Sequence, residues 1–286
     1  MSEPLKLLLP NFIKNLEDLG RSPSTVLAYR ADLEQLIANL LAKSRVLPEQ
    51  VRPDDIREFR DSLLTKKYTP KSVSRKLNAI KTFFRWLIAE KKVAQNPAKD
   101  VGHPKIALQL PKFLSQIEYR ALRDVVRTDT RIATIVELIL QTGMRISEVA
   151  SLKLENIKDN KLIIEAYATQ PQRTVASNLP AKHSVDLYLK ERPKSDSPYV
   201  FVSKNGKPLA VRNIRAAIDR YMERAGIPDY TVNDLRTTFV VENLKRGVDL
   251  VTVSQAVGHK RLSTTERYLE LAELKEPGKK QVLEEL

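Results

Sequence analysis

The sequence predicts a mainly α-helical protein with one small antiparallel β-sheet, divided into two domains. Three observations carry that expectation. Apolar residues recur at helical spacing from Val26 to Leu87. Strand-like composition is strongest between Lys161 and Ser177. Between them, Asp100 to Lys112 contains Gly102, Pro104 and Pro111 and has the composition of a linker. The expected division is a helical domain over 1–99, a linker over 100–112 and a second domain over 113–286. A chain of 286 residues is long enough for two domains.

The elements follow in order. After a short apolar start and a polar helix-like pattern, Ser22-Pro23 is a helix start: serine as cap, proline at the first helical position. Behind it, Val26, Tyr29, Leu33, Leu36, Ile37 and Leu40 form one face. Pro53-Asp54-Asp55 opens a further helix, with Ile56, Phe59 and Leu63 on one side. Thr69-Pro70 repeats the cap signal before the stripe Val73, Leu77, Ile80, Phe84 and Leu87. The first domain reads as four helices. Asn96-Pro97-Ala98 ends it. Ser115 and Glu118 form a capping box. Residues 132–141 read as a buried helix, broken at Thr142-Gly143, with Arg145 beginning the next. LIIEAY and RTVAS read as paired strands, with Gln170-Pro171 near the turn. A further short strand is expected at Tyr199 to Val202, and everything after Val211 reads as helices.

Composition narrows the function. The chain is 42% hydrophobic and 29% charged, as in soluble globular proteins. No apolar run suggests a transmembrane helix, and the start does not read as a signal peptide. The absence of cysteine excludes disulfides and thiolate metal sites, and with three histidines a His-rich metal site is not expected. A reducing cytoplasm fits. The net charge is +14, with 20 basic against 12 acidic residues in 1–105 and 29 against 23 in the remainder. Both parts are basic, which suits a protein that grips nucleic acid; on charge alone a merely soluble basic protein fits equally well.

One helix face sharpens the first reading. Lys71, Arg75, Asn78, Thr82 and Arg85 step by four, three, four and three, opposite the apolar stripe. A basic stripe backed by a buried one suits a DNA-facing helix, although a solvated charged face is the commoner origin of such a pattern.

The chemistry concentrates late in the chain. Arg145, Arg236, His259 and Tyr268 stand in the segments TGMRISEVASL, VNDLRTTF, AVGHK and STTERYL. Together they suit attack on a phosphodiester. Arginine forks bind two phosphate oxygens and keep their charge. An imidazole can bond a third oxygen, and a tyrosine hydroxyl can act as a covalent nucleophile. Each has a bland reading in isolation. Arg145 lies three residues before Glu148 and could be half of a weak surface ion pair. A tyrosine on a helix is most often packing. Ser263-Thr264-Thr265-Glu266 reads as a capping box opening the helix that carries Tyr268.

That order and spacing resembles the tyrosine recombinases, the family of the phage integrases and Xer-type enzymes. Asn233-Asp234-Leu235-Arg236 is similar to the family's His-x-x-Arg box, continued by Thr237-Thr238-Phe239, and Val257-Gly258-His259 is similar to its Leu-Gly-His box. Tyr268 follows His259 by nine residues, as in Xer-type members. GRSPSTVLAYRADL, KSVSRKLNAIKTFFRWL and NPAKDVGHPK look like the family's core-binding domain, and LPKFLSQIEYRAL like the entry to its catalytic domain.

The resemblance implies a two-domain, C-shaped DNA clamp and a site-specific recombinase. Arg145 and Arg236 would hold the scissile phosphate, His259 would donate to it, and Tyr268 would attack phosphorus to give a 3′-phosphotyrosyl enzyme and a free 5′-hydroxyl. Neither metal nor ATP is required, so no cofactor is expected. The partners implied are double-stranded DNA carrying recombination sites and further copies of the chain, forming a homo-tetramer on DNA and a monomer or dimer otherwise. A cytoplasmic, nucleoid-associated location is expected. Candidate DNA contacts are Lys71, Arg75 and Arg85 in the first domain and Arg212 and Arg215 in the second. The tail after Tyr268, broken at Pro277-Gly278, would dock on a neighbouring subunit.

Two departures stand out. Asn233 replaces the usual histidine; an amide can hydrogen-bond a phosphate or the tyrosine hydroxyl but cannot act as a general base. The family's hairpin-turn lysine, which protonates the leaving 5′-oxygen, is absent from Tyr167-Ala168-Thr169-Gln170-Pro171-Gln172-Arg173. Lys161 and Lys182 flank the hairpin without matching the motif, and Arg173 is too basic for an efficient proton donor. These departures support a second reading, a catalytically impaired DNA-binding relative. A third, a type IB topoisomerase, uses similar chemistry on unrelated sites; the short chain and matching amino-terminal segments favour a recombinase over it.

Overall fold

The computed structural model describes residues 3–107, 110–167 and 170–273. The chain forms two compact units, residues 1–108 and 109–286.

The first unit is built from α1 (Leu5–Asp18), α2 (Pro23–Leu41), α3 (Pro53–Thr65) and α4 (Pro70–Ala89). The caps form as the sequence predicts: the Ser22 side chain accepts from the Thr25 amide, and Thr69 from the Ser72 amide. Proline occupies the first helical position of α2, α3 and α4, where no intrahelical N–H is needed. The apolar start of the chain belongs to α1, which buries Leu5, Leu8, Phe12 and Ile13. Phe12 meets Phe83 edge-on, with ring centroids 5.1 Å apart. Ala98 and Val101 extend the same core beyond α4. Asp32, Asp55 and Lys76 are buried as well; Asp32, the most enclosed at 1% exposed, is held by Arg75 and by Lys76, whose Nζ donates at 2.8 Å.

The second unit centres on α6 (Thr130–Thr142), which packs against α5 (Gln116–Val126), α8 (Leu179–Glu191), α9 (Val211–Arg224) and α10 (Val232–Lys245). Ser115 and Glu118 form the expected capping box on α5. α6 ends at Gly143, whose φ of +64° reverses the chain into α7 (Ile146–Ala150), with Arg145 as N-cap. The sheet is β1 (Ile157–Lys158), β2 (Lys161–Ile164) and β3 (Arg173–Ala176), antiparallel in sequence order, with Leu162 opposite Val175 and Ile164 opposite Arg173. Beyond β2, Tyr167 and Gln170 exchange two backbone hydrogen bonds. The unit closes with α11 (Leu250–Val257), α12 (Ser263–Glu266) and α13 (Leu269–Glu273).

Three local expectations need revision. Tyr199 to Val202 forms two isolated bridges, Lys153 with Tyr199 and Val202 with Pro208, and no strand. Pro198 and Pro208 have no N–H to extend a ladder, yet Val200, Phe201 and Val202 are wholly buried. An unanticipated helix, α8, follows the hairpin; Asn178 caps it by accepting from the Ala181 amide. Tyr268 lies in the turn between α12 and α13 rather than on a helix opened by Ser263, because α12 starts from Leu262 and stops after one turn. The proposed docking tail from Pro277 lies outside the described residues.

Among the described residues no helix is long and apolar enough to cross a membrane, and no cluster of His, Asp or Glu side chains could hold a metal ion.

Candidate active site

The site is organised around the C-terminal end of α11. Gly258 adopts φ +66°, ends the helix and sends His259 away from its axis. That exposes the carbonyls of Val257 and Gly258, the negative end of the helix dipole. Arg236 on α10 donates from Nη2 to the Val257 oxygen at 2.7 Å. Arg145 donates to the same oxygen at 3.3 Å and to the Gly258 oxygen at 2.9 Å. Arg236 also bonds the Gly143 carbonyl. Two arginines that are 91 positions apart in the sequence thus share one carbonyl.

Close packing makes this convergence possible. A Cβ on Gly143 would lie 2.5 Å from the Phe239 ring and 2.7 Å from Val257 Cγ1. Glycine is therefore required there for space as well as for backbone conformation.

Glu148 fixes Arg145 from the other side. Its carboxylate accepts from the Arg145 amide at 2.7 Å and from Arg145 Nη1 at 2.9 Å. Both its oxygens also accept from Arg173, each at 2.7 Å. Burial pushes the Glu148 carboxyl up, but the hydrogen bonds from Arg173 and the Arg145 amide, with both guanidinium charges, hold it below the usual carboxylate range.

Three guanidiniums against one carboxylate leave the site electropositive. Burial, reinforced by Arg145 and Arg173 and partly offset by Glu148, pushes Arg236 down to about 9, so it is still a cation at neutral pH. Burial and the same arginines push His259 down to about 4, so its imidazole is neutral there. Its Nδ1 lies 2.8 Å from the Thr265 hydroxyl oxygen.

Tyr268 completes the group. Its ring lies nearly parallel to that of His259, with centroids 6.1 Å apart and planes 9° from parallel. It rests on a small cluster of Val240, Val253 and Val257, and its hydroxyl has no hydrogen-bond partner among the described residues. Asn233 sits one turn before Arg236 on α10, exposed and with its side chain unpartnered among the described residues.

The structure thus gathers Arg145, Arg236, His259 and Tyr268 and places Asn233 on the adjoining helix turn. Lys71, Arg75 and Arg85 lie on the exposed face of α4 in the other unit. Lys71 is unpaired among the described residues, Arg85 donates to Thr82, and Arg75 is engaged by Asp32. Arg212 and Arg215 are exposed on the first turns of α9, whose start lines a cleft with Arg145, Tyr167 and Gln170. Sequence reasoning missed Thr265 as a partner of His259 and considered Arg173 only as a proton donor. The glycines at 143 and 258 were the available signal that the segments around them pack closely.

Comparison with known proteins gives the family and the fold. The Phage integrase family profile matches residues 112–275, and the Phage integrase, N-terminal SAM-like domain profile matches residues 9–91. A tyrosine recombinase XerC of Oceanobacillus iheyensis is 31% identical over 279 residues, covering 92% of this chain and 91% of the relative. One from Staphylococcus epidermidis is 31% identical over 256 residues, covering 86% of each. In fold, the chain is similar to a lambda integrase dimer bound to a COC′ core site, with a TM-score of 0.79 at 18% identity, covering 98% of this chain and 81% of that one. It is also similar to XerH recombinase bound to a palindromic difH substrate, with a TM-score of 0.75 at 17% identity, covering 93% and 81%.

Proposed function

The chain belongs to the phage integrase family, and from that premise we propose that it is a site-specific DNA recombinase cleaving and rejoining strands through a 3′-phosphotyrosine. The observation that carries this reading is the shared Val257 carbonyl. It sets two guanidiniums side by side, one residue before the Gly258-His259 turn against which Tyr268 is stacked.

The geometry leaves each group equipped for its step. Arg145 uses three of its five N–H groups on protein oxygens and Arg236 uses two. The remaining donors hold the non-bridging oxygens of the scissile phosphate and stabilise the charge of its pentacoordinate transition state. Neutral His259 donates one N–H to the same phosphate. Asn233 hydrogen-bonds phosphate or tyrosine without taking a proton. The Tyr268 oxygen attacks phosphorus and its phenol proton is lost as that bond forms; the bond to the 5′-oxygen breaks, and that oxygen takes up a proton to leave as the 5′-hydroxyl. A partner strand's 5′-hydroxyl then reverses the step. The phosphotyrosine conserves the bond energy, so neither ATP nor a metal is called for.

Residues 1–99 serve as the core-binding domain and 113–286 as the catalytic domain. Lys71, Arg75, Arg85, Arg212 and Arg215 contact duplex DNA, chiefly at phosphates. Four copies assemble on two duplexes in the cytoplasm, through the segment beyond Pro277. Its removal spares DNA binding and impairs synapsis.

Nicked suicide duplexes carrying candidate sites test the reading on denaturing gels. A covalent adduct that vanishes in Tyr268→Phe supports it. A native-gel shift without any adduct points to the architectural relative instead. That second reading is favoured by one observation: Arg173, the basic residue closing the hairpin, is tied by three N–H groups to Glu148 and Ala256 and is too basic to give up a proton, and so does not stand in for the missing lysine.

A further inference from the structure

Arg173 has no part in the cleavage step proposed above, yet it is among the most constrained side chains near it. Only 11% exposed, it presents a two-pronged fork to Glu148, which is 10% exposed. Its Nε donates to the Ala256 carbonyl at 3.0 Å. Its side chain also covers Gly258, where a Cβ would lie 3.1 Å from Arg173 Cδ and Nε.

These contacts close a ring. Arg173 holds Glu148, Glu148 holds the amide and guanidinium of Arg145, and Arg145 holds the Gly258 carbonyl. Two residues back along the chain, Ala256 returns to Arg173. The ring joins three segments distant in sequence: β3, the N-cap of α7, and the end of α11 that leads into His259. A carboxylate shared by two guanidiniums cannot rotate to follow either one alone. Arg145 is a long side chain with several rotamers; without this anchor it would keep only its bonds to the Val257 and Gly258 carbonyls, and the substrate would have to complete its ordering at a cost in rate.

We propose that Arg173 is a positioning residue for DNA cleavage: through Glu148 it fixes the Arg145 guanidinium, and through Ala256 and Gly258 it fixes the turn that carries His259. This rests on the recombinase reading. It also explains why the basic residue of the hairpin is an arginine. A lysine ammonium offers no planar fork, so it cannot span both carboxylate oxygens and still reach the Ala256 carbonyl.

The test uses the full-length protein with Arg173→Ala, Arg173→Lys, Glu148→Gln and the double variant Glu148→Gln/Arg173→Ala. Adduct formation is followed on suicide duplexes from pH 5 to 8 beside native-gel affinity. Arg173→Ala should form adduct about 100-fold more slowly at pH 7, as expected for a misplaced catalytic group, with affinity within about threefold. Arg173→Lys should fall between it and wild type. The deficit of Arg173→Ala should widen toward pH 5, because Glu148 without its fork protonates more readily. The double variant should be less than additive, slower than Glu148→Gln alone only by what the Ala256 contact contributes, since the route through Glu148 is already lost.

A folded Arg173→Ala with wild-type rates throughout overturns the proposal. So does a loss that is equal at every pH and additive with Glu148→Gln, which would mark a merely structural ion pair. If wild type itself forms no adduct, the recombinase reading fails, and carboxyl NMR of Glu148 judges the anchor separately. Its titration midpoint should rise in Arg173→Lys, and in Arg173→Ala if that variant folds. An unmoved midpoint overturns the anchor whatever the activity.

Discussion

The Nδ1 of His259 and the hydroxyl of Thr265 are hydrogen-bonded at 2.8 Å, and Thr265 is completely buried. A neutral imidazole carries a single N–H, and a hydroxyl donating to Nδ1 leaves that proton on Nε2. Thr265 therefore selects the tautomer that can donate to a phosphate when its hydroxyl is the donor, and the opposite tautomer when it accepts from Nδ1. Replacing it by valine keeps the shape and removes the hydroxyl. Thr265→Val is expected to cost about 1 kcal/mol of stability for the lost buried bond and to slow adduct formation. Nitrogen chemical shifts of His259 should show a mixture of tautomers in the variant and one in wild type.

His259 should titrate far below an ordinary histidine. Its folded value is about 4, against 6.5 for the free side chain. Between those values the unfolded chain binds more protons, so stability rises with pH across that window. The contribution is complete above 6.5 and is lost as pH falls toward 4. Proton NMR of the imidazole reads the midpoint directly, and a value near 6.5 would refute the electropositive site described here.

Gly143→Ala should be among the most damaging small changes. The added methyl would meet Phe239 at 2.5 Å, with the backbone at φ +64°. Overpacking of this kind costs about 1–3 kcal/mol, and the left-handed conformation adds to it. Urea denaturation measures the loss. Because Gly143 also supplies a carbonyl to Arg236, adduct formation should drop further than stability alone explains.

The basic residues of α4 should separate into two classes. Lys71→Ala should weaken DNA binding across sequences and lower the salt slope by about 1, as for a phosphate contact. Arg75→Ala should do this and also destabilise the first unit, because Asp32 would be left buried with Lys76 as its remaining cation. Salt-dependent affinities and a melting curve for each variant distinguish the two. Equal melting temperatures would contradict the role assigned to Asp32.

What was legible in the sequence was local. Ser22, Thr69 and Ser115 announce their helices because a cap and its amide partner lie three residues apart. The arginine, histidine and tyrosine boxes were legible as a resemblance, since the spacing is fixed along the chain. The Arg173–Glu148 fork was not, because its partners are 25 residues apart and meet only when β3 packs beside α7. The Tyr199 to Val202 segment misled for a related reason. Its apolar run predicts a strand, but pairing depends on neighbours that contain prolines. Likewise the Ser263 box suggested a helix through Tyr268, whereas the short α12 gives way to a turn at that residue.

The common anchor of Arg145 and Arg236 is a main-chain oxygen. No side-chain replacement at position 257 deletes it, so the aim of the two guanidiniums is insulated from mutation at the residue that sets it. Each arginine also has a tether of its own, Arg145 to Glu148 and Arg236 to the Gly143 carbonyl, so a displacement of that one peptide is resisted from two sides. Drift in the sequence of α11 would then load both tethers at once before it altered the match of the pair to a phosphate.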